Sequence, residues 1–480
     1  MKRSIGVAFV FSLLIFLFKM KVFSGLGYSL DLFMQTQVAT SWMDGRPFHD
    51  NYYGNHLGTH SYLLLPVLGL IAGPLGSPGL LLVLAASGGL ALHFAHEILM
   101  HLDLPHRAAI FFAVLLVAAP FSIHTLHDWQ YGFHVELLEP AIALGLFHAL
   151  LRDKLKPSLA WGALLISVKE DAPFLAAIVA IIVLVETFLA RHREGVRGSG
   201  LLHGPACAVL VLSSVSFPIL LLLIKWNASG ATQGGAMTRL PLAFDAGVRD
   251  YGGLARFLVA HSFDFLFSHQ VRVLLVSLVC ASFGALLLRP HFIPLLLPFA
   301  LVAWLQSDDP LWASRFAPAL AAGWCITLLG IASFWHRTSS RMRHPPTRAK
   351  GTTLAFAGIL AVALTTAMSL SPAAAALDFY TFTPWTYYTA EERADADELF
   401  ARYREEGKRA EPVIAHIYLF RYAHDRNLFW FYSVPDGFQP KWILWDDRAP
   451  AFAKWGYAPI DYECLGRKGR FGLYRLAASD

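Results

Sequence analysis

Side chains with chemical capacity gather in four short stretches of an otherwise apolar chain. The first reads YSLDLFMQTQVATSWMDGRPFHDNYYGNHLGTH and carries Asp31, Asp44, His49, Asp50, Tyr52, Tyr53, His56 and His60. The second places His127, Asp128 and Trp129 just before His134-Val135-Glu136, and the third is Lys169-Glu170-Asp171. The fourth is Arg315, after Asp308-Asp309. A carboxylate such as Asp31, Glu136 or Glu170 can act as general base on a hydroxyl. Lys169 and Arg315 can hold a phosphate, or stabilise one as it leaves. His56, His60, His134, Asp171 and Tyr53 can hydrogen-bond a substrate, and Trp42, Tyr52, Trp129 and Tyr131 offer flat faces for sugar rings.

Each of these residues also has a plainer structural use. Asp31 suits the cap of a helix starting at about residue 32, a position aspartate favours. His56 and His60 stand four apart and would share a helical face, as metal ligands do. Spacing sets no third ligand, so no metal site is assigned; no cofactor is required, and a divalent cation is left open. His134 and Glu136 fit hydrogen-bonded positions at the start of a span. Lys169, Glu170 and Asp171 can neutralise one another, Arg315 can anchor in headgroups, and the aromatics suit an interfacial belt.

The elements that must position these groups are membrane helices. Of the 480 residues 56% are hydrophobic and only 15% charged, with a mean hydropathy of +0.48, whereas soluble chains carry about 25% charge. The four cysteines imply no disulfide framework. With about 20 apolar residues per crossing, spans are expected at roughly 5–24, 78–100, 107–125, 134–151, 202–225, 270–288, 291–306, 311–334 and 352–372. The stretch 158–190 is broken by Lys169-Glu170-Asp171. Because charges at mid-membrane are costly, it reads as two short helices meeting at one membrane face, for about eleven spans in all. The first span reads as uncleaved, since no small-x-small site follows it.

Basic loops at Lys2-Arg3, Arg107, Arg152–Lys156, Arg191–Arg197 and Arg337–Lys350 then fall on one side, the cytoplasm. Lys19 and Lys21, at the opposite end of the first span, are expected to snorkel to the headgroups. The outer side receives the 25–77 loop, the 127–136 loop, the 169–171 joint and the tail. Segments 31–43 and 60–74 are expected as helices lying in the outer interface. After residue 374 the composition changes: a charged helix from about 391 and four short strands read as a small α/β domain at 375–480, outside the membrane.

A base, two cations and aromatic faces at a membrane surface suit sugar transfer from a polyprenyl phosphate to an acceptor outside the cytoplasm. The motifs YSLDLFMQT, GNHLGTHSYLLLP, YGFHVELLEP and LISVKEDAPFLA, together with the order span, acidic outer loop, interfacial helices, long second span, resemble the GT-C superfamily of membrane glycosyltransferases. They look closest to a bacterial family of predicted membrane proteins of unknown function. The likeness is dense over about 25–190 and looser beyond.

It implies an α-helical polytopic fold with a membrane domain at 1–374, in the bacterial inner membrane with the N-terminus cytoplasmic. It also implies an inverting transfer from a lipid-phosphate sugar to a glycan, lipid or protein, with Asp31 matching the first-loop acidic residue proposed as base. One departure is that many GT-C enzymes show a close acidic pair there, whereas Asp44 and Asp50 follow Asp31 at a distance. Two other readings compete. A secondary transporter would put charges near mid-membrane and often show inverted repeats; here the charges gather at one face. A membrane scaffold with an outer binding domain leaves the 169–171 joint unexplained.

Overall fold

The computed structural model describes residues 2–477 except 194–203, 228–239, 249, 308, 310, 343–370, 408–410, 431–437 and 449–460. The chain is mostly helical. It opens with α1 (Lys2–Ser24), α2 (Leu30–Thr40), α3 (Leu65–Leu75), α4 (Ser77–His101), α5 (His106–Val117) and α6 (Pro120–His127). Next come α7 (Glu139–Leu151), α8 (Leu155–Ile166), α9 (Ala172–Arg193) and α10 (Gly204–Asn227). Further on are α11 (His269–Ala281), α12 (Leu297–Gln306) and α13 (Ala313–Met342).

Among the described residues six helices are long and apolar enough to cross a membrane, with a seventh crossing if the pair α5–α6, bent by 55°, is one broken span rather than a re-entrant loop. The bend sits at Pro120, which has no N–H to continue the ladder. Other expected spans fall on shorter apolar helices. The 291–306 segment is a 3-10 stretch, Pro290–Leu296, followed by α12. The span expected over 352–372 lies outside the described residues. The break in 158–190 is present, as the turn between α8 and α9, but α9 has 22 residues and is not short.

Helix α3 has only 11 residues, about 16 Å at 1.5 Å per residue, half of a bilayer core. It packs on α2 so closely that a Cβ at Gly69 would meet the Ala39 carbonyl at 1.9 Å, while Val67 and Leu70 stay exposed. This two-helix step carries the loop with Tyr53, His56 and His60.

Lys19 does not reach for headgroups. It is fully buried, with Nζ donating to the carbonyls of His127 at 2.8 Å and Gly132 at 2.7 Å, and it lies over the Tyr28 ring. The turn after α6 leaves those carbonyls without helical donors, and Lys19 supplies them. Lys21 instead donates to the Phe382 carbonyl at 2.6 Å. Lys19→Met is expected to lower stability, because each orphaned buried carbonyl costs about 1–3 kcal/mol; thermal unfolding of the purified protein in detergent measures it.

The tail begins with α14 (Ser371–Tyr380) and α15 (Ala390–Glu406). The latter starts in a capping box, Thr389 with Glu392. A hairpin in the first loop pairs β1 (His49–Asp50) with β2 (Gly54–Asn55). The tail sheet holds β3 (Val413–Ala415), β4 (Leu428–Trp430), β5 (Trp442–Asp446), β6 (Tyr462–Lys468) and β7 (Phe471–Leu476), in the order β4-β3-β5-β7-β6. Four of these strands are legible as apolar runs. β6 is not, because it is an edge strand whose Glu463, Arg467 and Lys468 mask the alternation, as edge strands commonly do.

The tail is stitched to the first loop. Gln37 Nε2 donates to the carbonyls of Asp425 (2.6 Å) and Leu428 (2.8 Å), while its Oε1 accepts from the Asn51 N–H (2.9 Å). Asn51 Nδ2 donates to the Leu428 carbonyl, Arg426 pairs with Asp44, and Ser77 at the start of α4 donates to the Asp425 carboxylate.

Candidate active site

A cavity of about 470 Å³ opens where the first loop, the 128–136 loop, the α8–α9 turn and the start of α13 meet. Asp31, Tyr53, His56, His60, His134, Glu136, Lys169 and Arg315 all line it. Glu170 and Asp171 do not. Segments more than 280 residues apart in sequence, from Asp31 to Arg315, converge here.

Asp31 lies in the first turn of α2 rather than at its cap, which is Ser29. Its carboxylate therefore faces the cavity instead of closing the helix, and its Oδ2 is 3.4 Å from His134 Nε2. The other ring nitrogen of His134 is 2.8 Å from Asp128 Oδ2. Burial disfavours a charged His134, but the two carboxylates outweigh it and raise the imidazole well above its ordinary value. His134 is thus an imidazolium held between Asp128 and Asp31. Among the described residues His134 is the only ion-pair partner of Asp31.

The opposite side of the cavity is built on a buried ion pair. Glu136 Oε1 accepts from Lys169 Nζ at 3.0 Å and from Tyr62 Oη at 3.0 Å, and Asp171 stands 3.9 Å from the same Nζ. α7 starts only at Glu139, so His134–Glu136 sit ahead of it in a loop and a 3-10 turn. Burial pushes Glu136 up, yet Lys169 and His134 together hold it at about 2. Its Oε2 is buried without a hydrogen-bond partner.

Glu170 has turned to the first loop. Its Oε1 accepts from His60 Nδ1 at 2.8 Å and its Oε2 from the Ser61 N–H at 3.1 Å. Burial works against the Glu170 charge, but His60, Lys169 and these hydrogen bonds keep the carboxyl well below its usual range. Burial lowers His60 to about 4, so it is neutral. His56 is held in the same way by Asp50, Nδ1 to Oδ2 at 2.6 Å, with Nε2 buried and unpartnered. Among the described residues no three His, Cys, Asp or Glu side chains are grouped to hold a metal ion.

Reading the residue types singly gives no role to Asp50 and Asp128, the carboxylates that orient two of the histidines. The signal was present as a repeat: Asp50–His56 and Asp128–His134 both spell D-x-x-Y-G-x-H. In both, the glycine has positive φ, +76° at Gly54 and +80° at Gly132, and the tyrosine before it lines the cavity. The left-handed glycine turns the chain back on itself, so a histidine six residues on can reach the starting aspartate. Gln35, which also lines the cavity, was not anticipated; its Oε1 accepts from the Val135 N–H at 2.9 Å and ties α2 to the 128–136 loop.

The long apolar helices, the two short helices ahead of the second long one and the cavity where their loops meet define a polytopic helical membrane protein. The chain belongs to the family described as "Predicted membrane protein (DUF2079)", which matches residues 26–387. Its structure is similar to that of ArnT from Cupriavidus metallidurans, solved bound to undecaprenyl phosphate: TM-score 0.51, 14% identity, covering 99% of this chain and 98% of that one. It is also similar to the oligosaccharyltransferase of Archaeoglobus fulgidus in the apo form, with TM-score 0.44, 11% identity and coverage of 92% and 69%. The complex of that enzyme, AglB, with an inhibitory peptide and a dolichol-phosphate gives TM-score 0.42 at the same identity and coverage. No curated protein matches the chain in sequence.

Proposed function

We propose that this protein is a membrane glycosyltransferase that moves a sugar from a polyprenyl-phosphate donor to an acceptor outside the cytoplasm, with inversion. The observation that carries this reading is one cavity with a carboxylate at one side and two cations, Lys169 and Arg315, on its wall. The donor phosphate lies against Lys169 and Arg315. The acceptor hydroxyl attacks the anomeric carbon as the bond from that carbon to the phosphate oxygen breaks. The bonding electrons leave with the phosphate, and the hydroxyl proton passes to Asp31. Glu136 and Asp171 fix Lys169, and Glu170 fixes His60; these three carboxylates position rather than react. Tyr53, His56 and His134 contact substrate. The tail, outside the membrane beside the first loop, faces the acceptor.

The test is turnover of a panel of polyprenyl-phosphate sugars by the full-length protein in nanodiscs, in parallel with solute uptake into vesicles. Sugar-dependent release of polyprenyl phosphate is expected. Solute movement with no binding or turnover of any lipid-linked sugar would replace the enzyme with a transporter, and neither activity would leave a scaffold.

A further inference from the structure

Cavity charge balance poses a problem for a phosphate. Four carboxylates line it, Asp31, Asp128, Glu136 and Asp309, against the permanent cations Lys169 and Arg315. Lys169 is already matched by Glu136, and the His134 imidazolium by Asp31 and Asp128. A sugar phosphodiester brings one negative charge, and transfer leaves a phosphomonoester with two. The wall therefore needs further positive charge that appears as the leaving group forms.

His60 is built to supply it. Its Nδ1–H donates to an ionised, partly buried Glu170 at 2.8 Å, which fixes the tautomer and leaves a lone pair on Nε2. Glu170 is itself locked by the Ser61 N–H, so the ring cannot turn away. The ring is a quarter exposed and lines the cavity, stacked on Tyr62, whose hydroxyl is bonded to the same Glu136 oxygen that holds Lys169. We propose that His60, backed by Glu170, binds the phosphomonoester product by taking up a proton on Nε2 and donating it as a hydrogen bond to a phosphate oxygen. The inference rests on the transfer reading above.

The balance closes. Transfer frees one proton from the acceptor hydroxyl and creates one extra charge on the phosphate. Asp31 takes that proton first, and His60 then holds an equivalent one beside the new charge. In the empty cavity burial, Lys169 and His56 keep His60 neutral, at about 4, while Glu170 opposes them. Glu136 and Arg315 are the other charges on that side. Each full charge about 4 Å away raises proton affinity on the order of a thousandfold at an effective dielectric near 20, so the two charges of the monoester carry His60 further into its protonated form at neutral pH than the single charge of the diester.

Calorimetry on the full-length protein in detergent tests this. A short-chain prenyl monophosphate is titrated at pH 7.5 in two buffers of different ionisation heat, alongside its methyl diester, which cannot carry a second charge. Wild type is expected to take up about half a proton or more with the monoester and clearly less with the diester. His60→Gln and Glu170→Gln are expected to abolish the uptake and weaken the monoester about tenfold or more, with a smaller effect on the diester; a single monodisperse peak in detergent, as for wild type, shows that they are folded. Inorganic phosphate, run in parallel, separates the sources: uptake with the prenyl ester alone assigns the site to the lipid carrier, and uptake with both assigns it to the phosphate group itself. Monoester binding without uptake, or undiminished uptake in His60→Gln, overturns the role of His60 and leaves the glycosyltransferase reading standing. Failure of both esters to bind removes both.

Discussion

Asp31→Asn is expected to cut sugar transfer by about 10²- to 10⁴-fold, the range that a positioned base contributes, with little change in donor affinity. Asparagine has nearly the same shape and still faces His134 across 3.4 Å, but it cannot accept a proton. The donor phosphate is assigned to Lys169 and Arg315, which the substitution does not touch. Single-turnover rates with saturating donor, beside donor binding measured separately, make the comparison. Equal losses in binding and rate would reduce Asp31 to a structural neighbour of His134. An unchanged rate would remove it as the base.

The second large effect is expected at the Glu136–Lys169 pair. Both side chains are almost fully buried, at 4% and 6% exposure. Removing one partner of such a pair costs about 3–5 kcal/mol, because the other charge is left in a low dielectric without its match. Lys169→Met is expected to lower stability by that order and to abolish donor binding. Its pH dependence gives a sharper test. In wild type Glu136 is held at about 2, below its ordinary 4.5, so its contribution is complete above 4.5 and is lost as pH falls toward 2. Without Lys169, burial dominates and raises the Glu136 carboxyl above 4.5. The variant should then gain stability as pH falls from neutrality toward 4.5, the opposite sign. Unfolding midpoints of both proteins across that range decide it; parallel profiles would mean that the pair is not coupled as drawn. Lys169→Met combined with Glu136→Gln should recover part of the loss, since no charge remains buried there.

The sequence made much of the site legible because ionisable residues are costly in an apolar chain. Asp31, His134, Glu136, Lys169 and Arg315 stood out against their surroundings, and all reach one cavity. The same reasoning erred where partners were distant. Lys19 reads as a snorkelling lysine because its two acceptors, the carbonyls of His127 and Gly132, lie more than a hundred residues away and carry no sequence signature. The plainer use of Asp31, as a cap, rests on a local rule, and Ser29 holds that position instead. Glu170 reads as lining the cavity because it neighbours Lys169, but successive residues in a turn point in different directions, and only Lys169 faces in.

By itself the sequence determined that this is a membrane protein with polar groups gathered at one face, that a charged turn interrupts the 158–190 stretch, and that a small α/β unit ends the chain. These follow from hydrophobic run length, the cost of buried charge and the alternation of strands, all of which act within a few residues. Only the tertiary structure decided which carboxylate holds which cation. It made His134 an imidazolium and His60 a neutral ring, although both are histidines in loops. His134 has a carboxylate at each nitrogen, whereas His60 has a single carboxylate and the charge of Lys169 nearby. Ionisation depends on distances of 3–4 Å between segments far apart in the chain, and no local pattern encodes those distances.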